Sequence, residues 1–88
     1  MAKVMMKIRV MPTDVDVDLK KMAEKIKETK VENVEIKDLA IKPLAFGIKA
    51  LYILTVMPDE GGIGDKFVEE VQKIEGVESV EIEDMELL

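Results

Sequence analysis

The chain has 88 residues, enough for one small domain, and its hydrophobic fraction of 48% is typical of a globular rather than a disordered protein. It contains no Cys and no His, which excludes disulfide scaffolds, thiol catalysis, the commonest general base and the commonest transition-metal ligand. The net charge of −6 and the absence of Trp argue against a nucleic-acid partner held by phosphate contacts or base stacking.

Charge is divided unevenly along the chain. Residues 1–58 carry 11 basic and 8 acidic side chains, a net of +3, whereas residues 59–88 carry 2 basic and 11 acidic ones, a net of −9. One interpretation is a solvated acidic surface on a helix and an edge strand. The other is a dipolar molecule whose basic face steers a partner toward it.

The sequence contains no recognisable membrane or targeting segment. The longest near-apolar run, Ala50 to Met57, is interrupted by Tyr52 and Thr55 and is far shorter than the roughly 20 residues of a spanning helix. The N-terminus alternates charged and apolar residues and lacks the apolar core of a signal peptide. We therefore expect a cytoplasmic protein with no membrane partner.

The first half of the chain predicts a strand, a helix and a second strand. Lys3 to Met11 alternates with period two and stops at Pro12, and Asp18 is a suitable N-cap for the helix that follows. The strand places Val4, Met6, Ile8 and Val10 on one face and Lys3, Lys7 and Arg9 on the other, and the helix has a stripe of Leu19, Met22, Ala23 and Ile26. Val34 to Lys42 alternates again, and Pro43 restricts this second strand to a sheet edge.

The second half predicts a central strand, a helix and a last strand. Ile48 to Val56 is apolar on both parities, as in a strand buried on both sides. A helical stripe of Phe67, Val68, Val71 and Ile74 follows the glycine-rich turn, with Gly76 as the expected C-cap, and a strand starts at Val77. The order β-α-β-β-α-β predicts a ferredoxin-like α+β sandwich: a four-stranded antiparallel sheet, its first and third strands central, with two helices on one face.

Two apparent ligand motifs fail on inspection. Asp14, Asp16 and Asp18 resemble the opening of a calcium loop, but the sixth and twelfth positions hold Leu19 and Lys25 instead of Gly and Glu. The glycine-rich run 61–66 lacks P-loop spacing and carries carboxylates that would repel an anion. With no nucleophile–base pair either, we expect no catalytic residues, no cofactor, no metal and no enzymatic activity.

The segment 42–51 is the most informative one. Its sequence, KPLAFGIKAL, puts Phe46 beside Gly47 at the expected tip of a hairpin. Physical reasoning leaves two alternatives open. Phe46 either folds under the end of the sheet and plugs the core, or stands exposed as a contact for a partner.

This hairpin resembles the signature run of the translation elongation factor 1-beta family, whose eukaryotic members carry Pro-x-x-Phe-Gly-Ile-Lys-Lys-Leu. Val10-Met11-Pro12 with Asp14, and the segment 77–82, resemble the family's first and last strands. The resemblance covers about residues 3–88 and implies that residues 1–88 form a single guanine-nucleotide exchange domain of the short archaeal type. It implies binding to GDP-bound elongation factor 1-alpha, release of GDP and loading of GTP, with a free chain that is a monomer and binds no nucleic acid.

The resemblance also implies site residues. Phe46, Gly47 and Lys49 match the family pattern and are expected to bind the partner. Strand parity, independently of the resemblance, adds basic residues expected to flank the aromatic ring and bind the partner, among them Lys42 and Arg9 together with Lys3, Lys7 and Lys49. Two departures matter. Eukaryotic members carry a Lys one residue before the C-terminus, where this chain has Leu87, and they carry a Lys pair in the hairpin, where this chain keeps Lys49 but has Ala50 in the second place.

A second class of function remains open at this point. The ferredoxin-like fold hosts many activities, so the chain is alternatively a small regulatory or ligand-binding module that acts as a homo-oligomer through its open sheet face. An RNA-binding domain of the same topology would need aromatic residues on its central strands, and Tyr52 is the best candidate there.

Overall fold

A computed structural model of the chain describes residues 2–29, 31 and 33–88. The elements follow the predicted order β-α-β-β-α-β, with one turn of 3-10 helix at the tip of the central hairpin. Their bounds are β1 Lys3–Pro12, α1 Leu19–Glu28, β2 Glu35–Pro43, the 3-10 turn Ala45–Gly47, β3 Lys49–Pro58, α2 Ile63–Gln72 and β4 Val77–Leu87.

All four strands form one antiparallel sheet in the order β2-β3-β1-β4. The first and third strands are central and the second and fourth lie at the edges, which confirms the predicted topology. Pro43 is the last residue of the edge strand β2, where its missing N–H removes no bond from a central ladder.

The core lies on one face of the sheet and is covered by both helices. Side chains alternate between the faces of a strand, so the buried residues of β1 and β3 that share this face form one layer. That layer and the apolar stripes of the helices make a single buried cluster. Its members are Val4, Met6, Ile8, Val10, Leu19, Met22, Ile26, Val31, Leu51, Ile53, Met57, Phe67 and Val71. The ferredoxin-like α+β fold is therefore confirmed. No helix in the described part of the chain is long and apolar enough to cross a membrane.

The edge strands each contain an irregularity that keeps their apolar residues on the core face. In β2 the register skips Lys37, so Ile36 pairs with Thr55 and Asp38 pairs with Leu54. This bulge explains why the apolar positions of the second strand change parity within the sequence. In β4 the register skips two residues in the same way, Glu83 and Glu78.

Helix α1 begins as predicted, whereas the end of α2 differs from the prediction. The Asp18 carboxylate accepts hydrogen bonds from the backbone N–H groups of Lys20 and Lys21, at 3.0 and 3.2 Å. The expectation that Gly76 caps α2 is wrong, because the helix ends at Gln72 and Lys73 is its C-cap. Gly76 lies three residues further on, at φ 94°, in the turn that starts β4.

Candidate functional site

The tip of the β2–β3 hairpin is a short, closed turn with unusual backbone angles. The Leu44 N–H donates to the Ile48 carbonyl at 2.6 Å, and the Ile48 N–H donates to the Ala45 carbonyl at 3.3 Å. Between these bonds Phe46 has φ 62° and ψ 30°, and Gly47 has φ 75°. Glycine adopts this left-handed conformation readily, but a residue that carries a Cβ, such as Phe, adopts it at a cost.

The side chain of Phe46 is 95% exposed. The core-plug alternative is therefore wrong, and the other Phe of the chain, Phe67, occupies the core instead at 1% exposure. A fully exposed aromatic ring on a strained backbone is unfavourable for folding alone. Such outliers occur at sites where the strain serves a function, which makes the tip the strongest candidate for a partner contact.

Two of the predicted basic residues lie in the strands that carry the tip. Lys42 pairs with Ala50, and Lys49 pairs with Pro43, so both lie within four residues of Phe46 along the hairpin. The Lys42 ammonium is 5.2 Å from the centre of the Tyr52 ring, and the Lys7 ammonium of β1 is 5.5 Å from it. These two cation–π contacts place Lys42 on the face of the sheet that the helices leave open.

Arg9 has a different environment from the two lysines. Its guanidinium hydrogen-bonds the Glu81 carboxylate on β4 and lies 3.4 Å from a carboxylate oxygen of Glu83. The hydrogen bond with Glu81 is the main reason why the pKa of Arg9 is raised above its ordinary value. The structure thus brings Arg9 together with acidic residues of β4, and it also pairs Arg9 with Tyr52, the residue whose ring Lys42 contacts.

A groove beside the tip was missed by the sequence analysis. It has a volume of about 390 Å³ and lies between the β1–α1 turn and the β2–β3 hairpin. Val15, Leu19, Ile41 and Gly47 contribute to its lining, and Lys20 and Lys49 line it as well. Pattern analysis could not find this groove, because its walls come from segments that are far apart in the sequence.

The C-terminal end of the chain lies far from this site. Leu87 pairs with Val4 near the start of β1, whereas Pro12 at the end of β1 pairs with Val77. The ten residues of β1 therefore separate Leu87 from the tip end of the sheet by roughly 30 Å, at about 3.3 Å per residue. A partner that contacts both ends must extend along the molecule, whose longest dimension is 42 Å.

The described residues hold no group of three His, Cys, Asp or Glu side chains placed to bind a metal ion. What the structure does present is an exposed aromatic residue on a hairpin turn closed by two backbone hydrogen bonds, with lysines on the adjacent strands. Fold and site together define a small α+β interaction domain with its candidate contact at one end of the sheet.

Comparisons with known proteins identify the family. The family model of the EF-1 guanine nucleotide exchange domain matches residues 5–88. The elongation factor 1-beta of Archaeoglobus fulgidus is 67% identical over 88 residues, which is all of both chains. That of Staphylothermus marinus is 43% identical over 84 residues, covering 94% of this chain and 93% of the relative. The chain therefore belongs to the elongation factor 1-beta family, and the predicted resemblance is confirmed.

Solved structures with the same fold have much lower sequence identity. The ACT domain from a GTP pyrophosphokinase of Chlorobium tepidum superimposes with a TM-score of 0.65 at 17% identity, covering 91% of this chain and 97% of that chain. The C-terminal domain of the MgtC protein from Mycobacterium tuberculosis gives a TM-score of 0.60 at 11% identity, covering 97% of this chain and 87% of that chain. At these identities the similarity supports the ferredoxin-like fold alone.

Proposed function

We propose that this chain is a guanine-nucleotide exchange factor that binds GDP-bound elongation factor 1-alpha and accelerates the release of GDP, so that GTP can bind. The observation that carries this proposal is the match of residues 5–88 to the EF-1 guanine nucleotide exchange domain. Residues 1–88 then act as one exchange domain, and no covalent bond is made or broken.

Exchange of this kind is a matter of coupled binding equilibria. An exchange factor binds the nucleotide-free GTPase more tightly than the GDP-bound one, and by linkage it weakens GDP binding by the same factor. The factor therefore needs contacts that form best after the nucleotide site has been distorted. It needs no general acid, base or nucleophile, which fits a chain without His and Cys.

Phe46 is the residue we assign to that contact. It is 95% exposed, lies on a turn closed by two backbone hydrogen bonds, and so enters a partner pocket without first being released from the core. Gly47 permits the turn, and Lys42 and Lys49 supply positive charge on either side of it. Aromatic residues that become fully buried in such interfaces contribute a large share of the binding free energy. Arg9, which pairs with Tyr52 on β3, is the fifth residue that we assign to the partner contact.

The direct test is release of fluorescent GDP from elongation factor 1-alpha. The release rate is measured in excess unlabelled nucleotide, with and without the chain, over a range of chain concentrations. We expect a saturable acceleration. A release rate that does not depend on the chain would contradict the proposal.

Two further properties belong to the proposal. The free chain is a cytoplasmic monomer, and it forms a one-to-one complex with the GTPase and binds no nucleic acid; the net charge of −6 supports the last point. Sedimentation velocity of the chain alone distinguishes this from the homo-oligomeric ligand-binding module. A stable dimer that does not stimulate GDP release would favour the module.

A further inference from the structure

The groove beside the tip has the features of a second contact surface. We call it the tip groove and define it by Val15, Leu19, Ile41, Gly47 and the two lysines Lys20 and Lys49. Its volume of about 390 Å³ is within the range of sites that hold a small ligand or a few side chains. Gly47 lines the groove and directly follows Phe46, so the groove is continuous with the proposed contact.

The large exposed apolar side chains of the described residues fall into two groups, and one group lies at this end of the molecule. Val15 is 59% exposed and Ile41 is 38% exposed, and both line the groove, which also reaches Gly47, the residue after Phe46. The described residues with large exposed apolar side chains include Ile82, Met85, Leu87 and Leu88 elsewhere, all on β4 or directly after it. An apolar groove and an exposed aromatic residue that follow each other along the hairpin are typical of a binding site rather than of scattered apolar residues on a surface.

Two lysines and one aspartate, Asp18, line the groove, which gives its lining a net charge of +1, whereas the whole chain has a net charge of −6. Ion pairs among the described residues involve Arg9, Lys37 and Lys73, and none involves Lys20 or Lys49. Asp18 also borders the groove; its carboxylate accepts hydrogen bonds from the backbone N–H groups at the start of α1 and keeps its negative charge. Two lysine ammonium groups therefore remain available to a partner that enters the groove.

We infer that the tip groove receives an apolar side chain of the GTPase that lies next to a carboxylate, while Phe46 enters a pocket of the same partner. This inference rests on the proposed function and names a second part of its interface. Contact is then reciprocal: each protein inserts an apolar side chain into the other. The apolar lining of the groove would contact the apolar side chain of the GTPase, and the two lysines would attract the carboxylate beside that side chain.

The test compares a variant of the groove with a control variant on the opposite edge of the sheet. Ile41 lies on the edge strand β2 beside the groove, and Ile82, 45% exposed, lies on the opposite edge strand β4. Thr replaces Ile in each case, since it keeps the β-branched shape that suits a strand and introduces a hydroxyl. A double variant, Val15→Thr with Ile41→Thr, removes apolar surface from two walls of the groove.

The readout is GDP release as a function of chain concentration. We expect the double variant to raise the half-saturating concentration about tenfold, as when an aliphatic side chain is no longer buried at an interface, and to leave the maximal rate unchanged because Phe46 is intact. Ile82→Thr should shift the half-saturating concentration less than twofold. If the double variant does not fold by circular dichroism, the single variant Val15→Thr in the exposed β1–α1 turn serves instead.

The outcomes separate the inference from the proposed function. If the wild-type chain does not accelerate GDP release, the proposed function itself is wrong. If the wild-type chain accelerates release and the groove variant behaves like Ile82→Thr, the function stands and the groove inference is overturned. If sedimentation shows a wild-type dimer that the groove variant dissociates, the occupant is a second copy of the chain and the inference is again overturned.

Discussion

Replacing Phe46 by Ala separates a contact residue from a structural one, because the chain has two Phe residues in opposite environments. Phe46 is 95% exposed and Phe67 is 1% exposed. Full burial of a Phe side chain contributes at most about 3 kcal/mol, so the twentieth of Phe46 that is covered accounts for about 0.15 kcal/mol. Ala retains a Cβ, so the cost of the left-handed backbone is the same in both proteins.

The expected effects on folding therefore differ by more than an order of magnitude. Phe46→Ala should change the thermal midpoint by about 1 °C, whereas Phe67→Ala should cost about 3–5 kcal/mol and lower the midpoint by more than about 12 °C. Both midpoints are measured by circular dichroism under the same conditions. A drop of several degrees for Phe46→Ala would show that the ring packs against the fold after all.

Phe46→Ala should have a large effect on nucleotide exchange although its effect on stability is small. Truncating a buried aromatic anchor at an interface costs about 2 kcal/mol or more, so Phe46→Ala should reduce the apparent second-order rate constant of GDP release about 30-fold or more. The rate is measured at chain concentrations well below saturation and is corrected for the folded fraction. A Phe46→Ala protein that is folded and exchanges GDP at the wild-type rate would refute the assignment of Phe46 to the interface.

Two predictions concern the fold itself. Gly76→Ala should lower the free energy of unfolding by at least about 1 kcal/mol, because the left-handed backbone at φ 94° disfavours Ala and the new Cβ would lie 3.1 Å from Val17 Cγ1. Gly47→Ala is the control, because Gly47 also has a positive φ but no atom lies within 4 Å of its Cβ position. Equal urea midpoints for the two variants would show that the contact with Val17 does not destabilise Gly76→Ala. Lys37→Met should raise the pKa of Glu35, which a 2.9 Å hydrogen bond from the Lys37 ammonium lowers. Because this lowered pKa belongs to the folded state, the pair stabilises the fold above the unfolded-state pKa and loses this effect as the pH falls through the folded-state pKa. An NMR titration giving Glu35 the same pKa in both proteins would contradict this account.

Much of the fold follows from the sequence because its elements are strongly periodic. The period-two pattern of β1 and the helical stripe of α1 each have one face to bury, so register and orientation are determined together. The end of α2 did not follow in this way. Ile74 keeps helical spacing with Val71, but it lies in a tight turn in which the Ile74 N–H donates to the Val71 carbonyl at 3.1 Å. Periodicity cannot distinguish such a turn from the last turn of a helix.

The site was predictable only in part, for a physical reason that Phe46 illustrates. A Phe followed by a Gly at a turn is compatible with a buried ring and with an exposed ring. Which of the two forms depends on backbone angles that the two residue types do not determine. The resemblance pointed to the exposed arrangement, and the structure has it. Arg9 shows the opposite case, because its two acidic partners on β4 are more than 70 positions away in the sequence. The bulge at Glu83 helps to set the positions of these partners, and side-chain alternation does not reveal it.

The left-handed backbone at Phe46 also affects which substitutions at this position selection would favour. Asn and Gly accept these angles far more readily than Phe, and neither would sacrifice any buried surface. A library of variants propagated only for yield of soluble protein should therefore drift away from Phe at position 46. One propagated for growth that depends on translation should return to it. At this position a ranking of substitutions by folding and a ranking by fitness run in opposite directions, as expected where activity opposes stability.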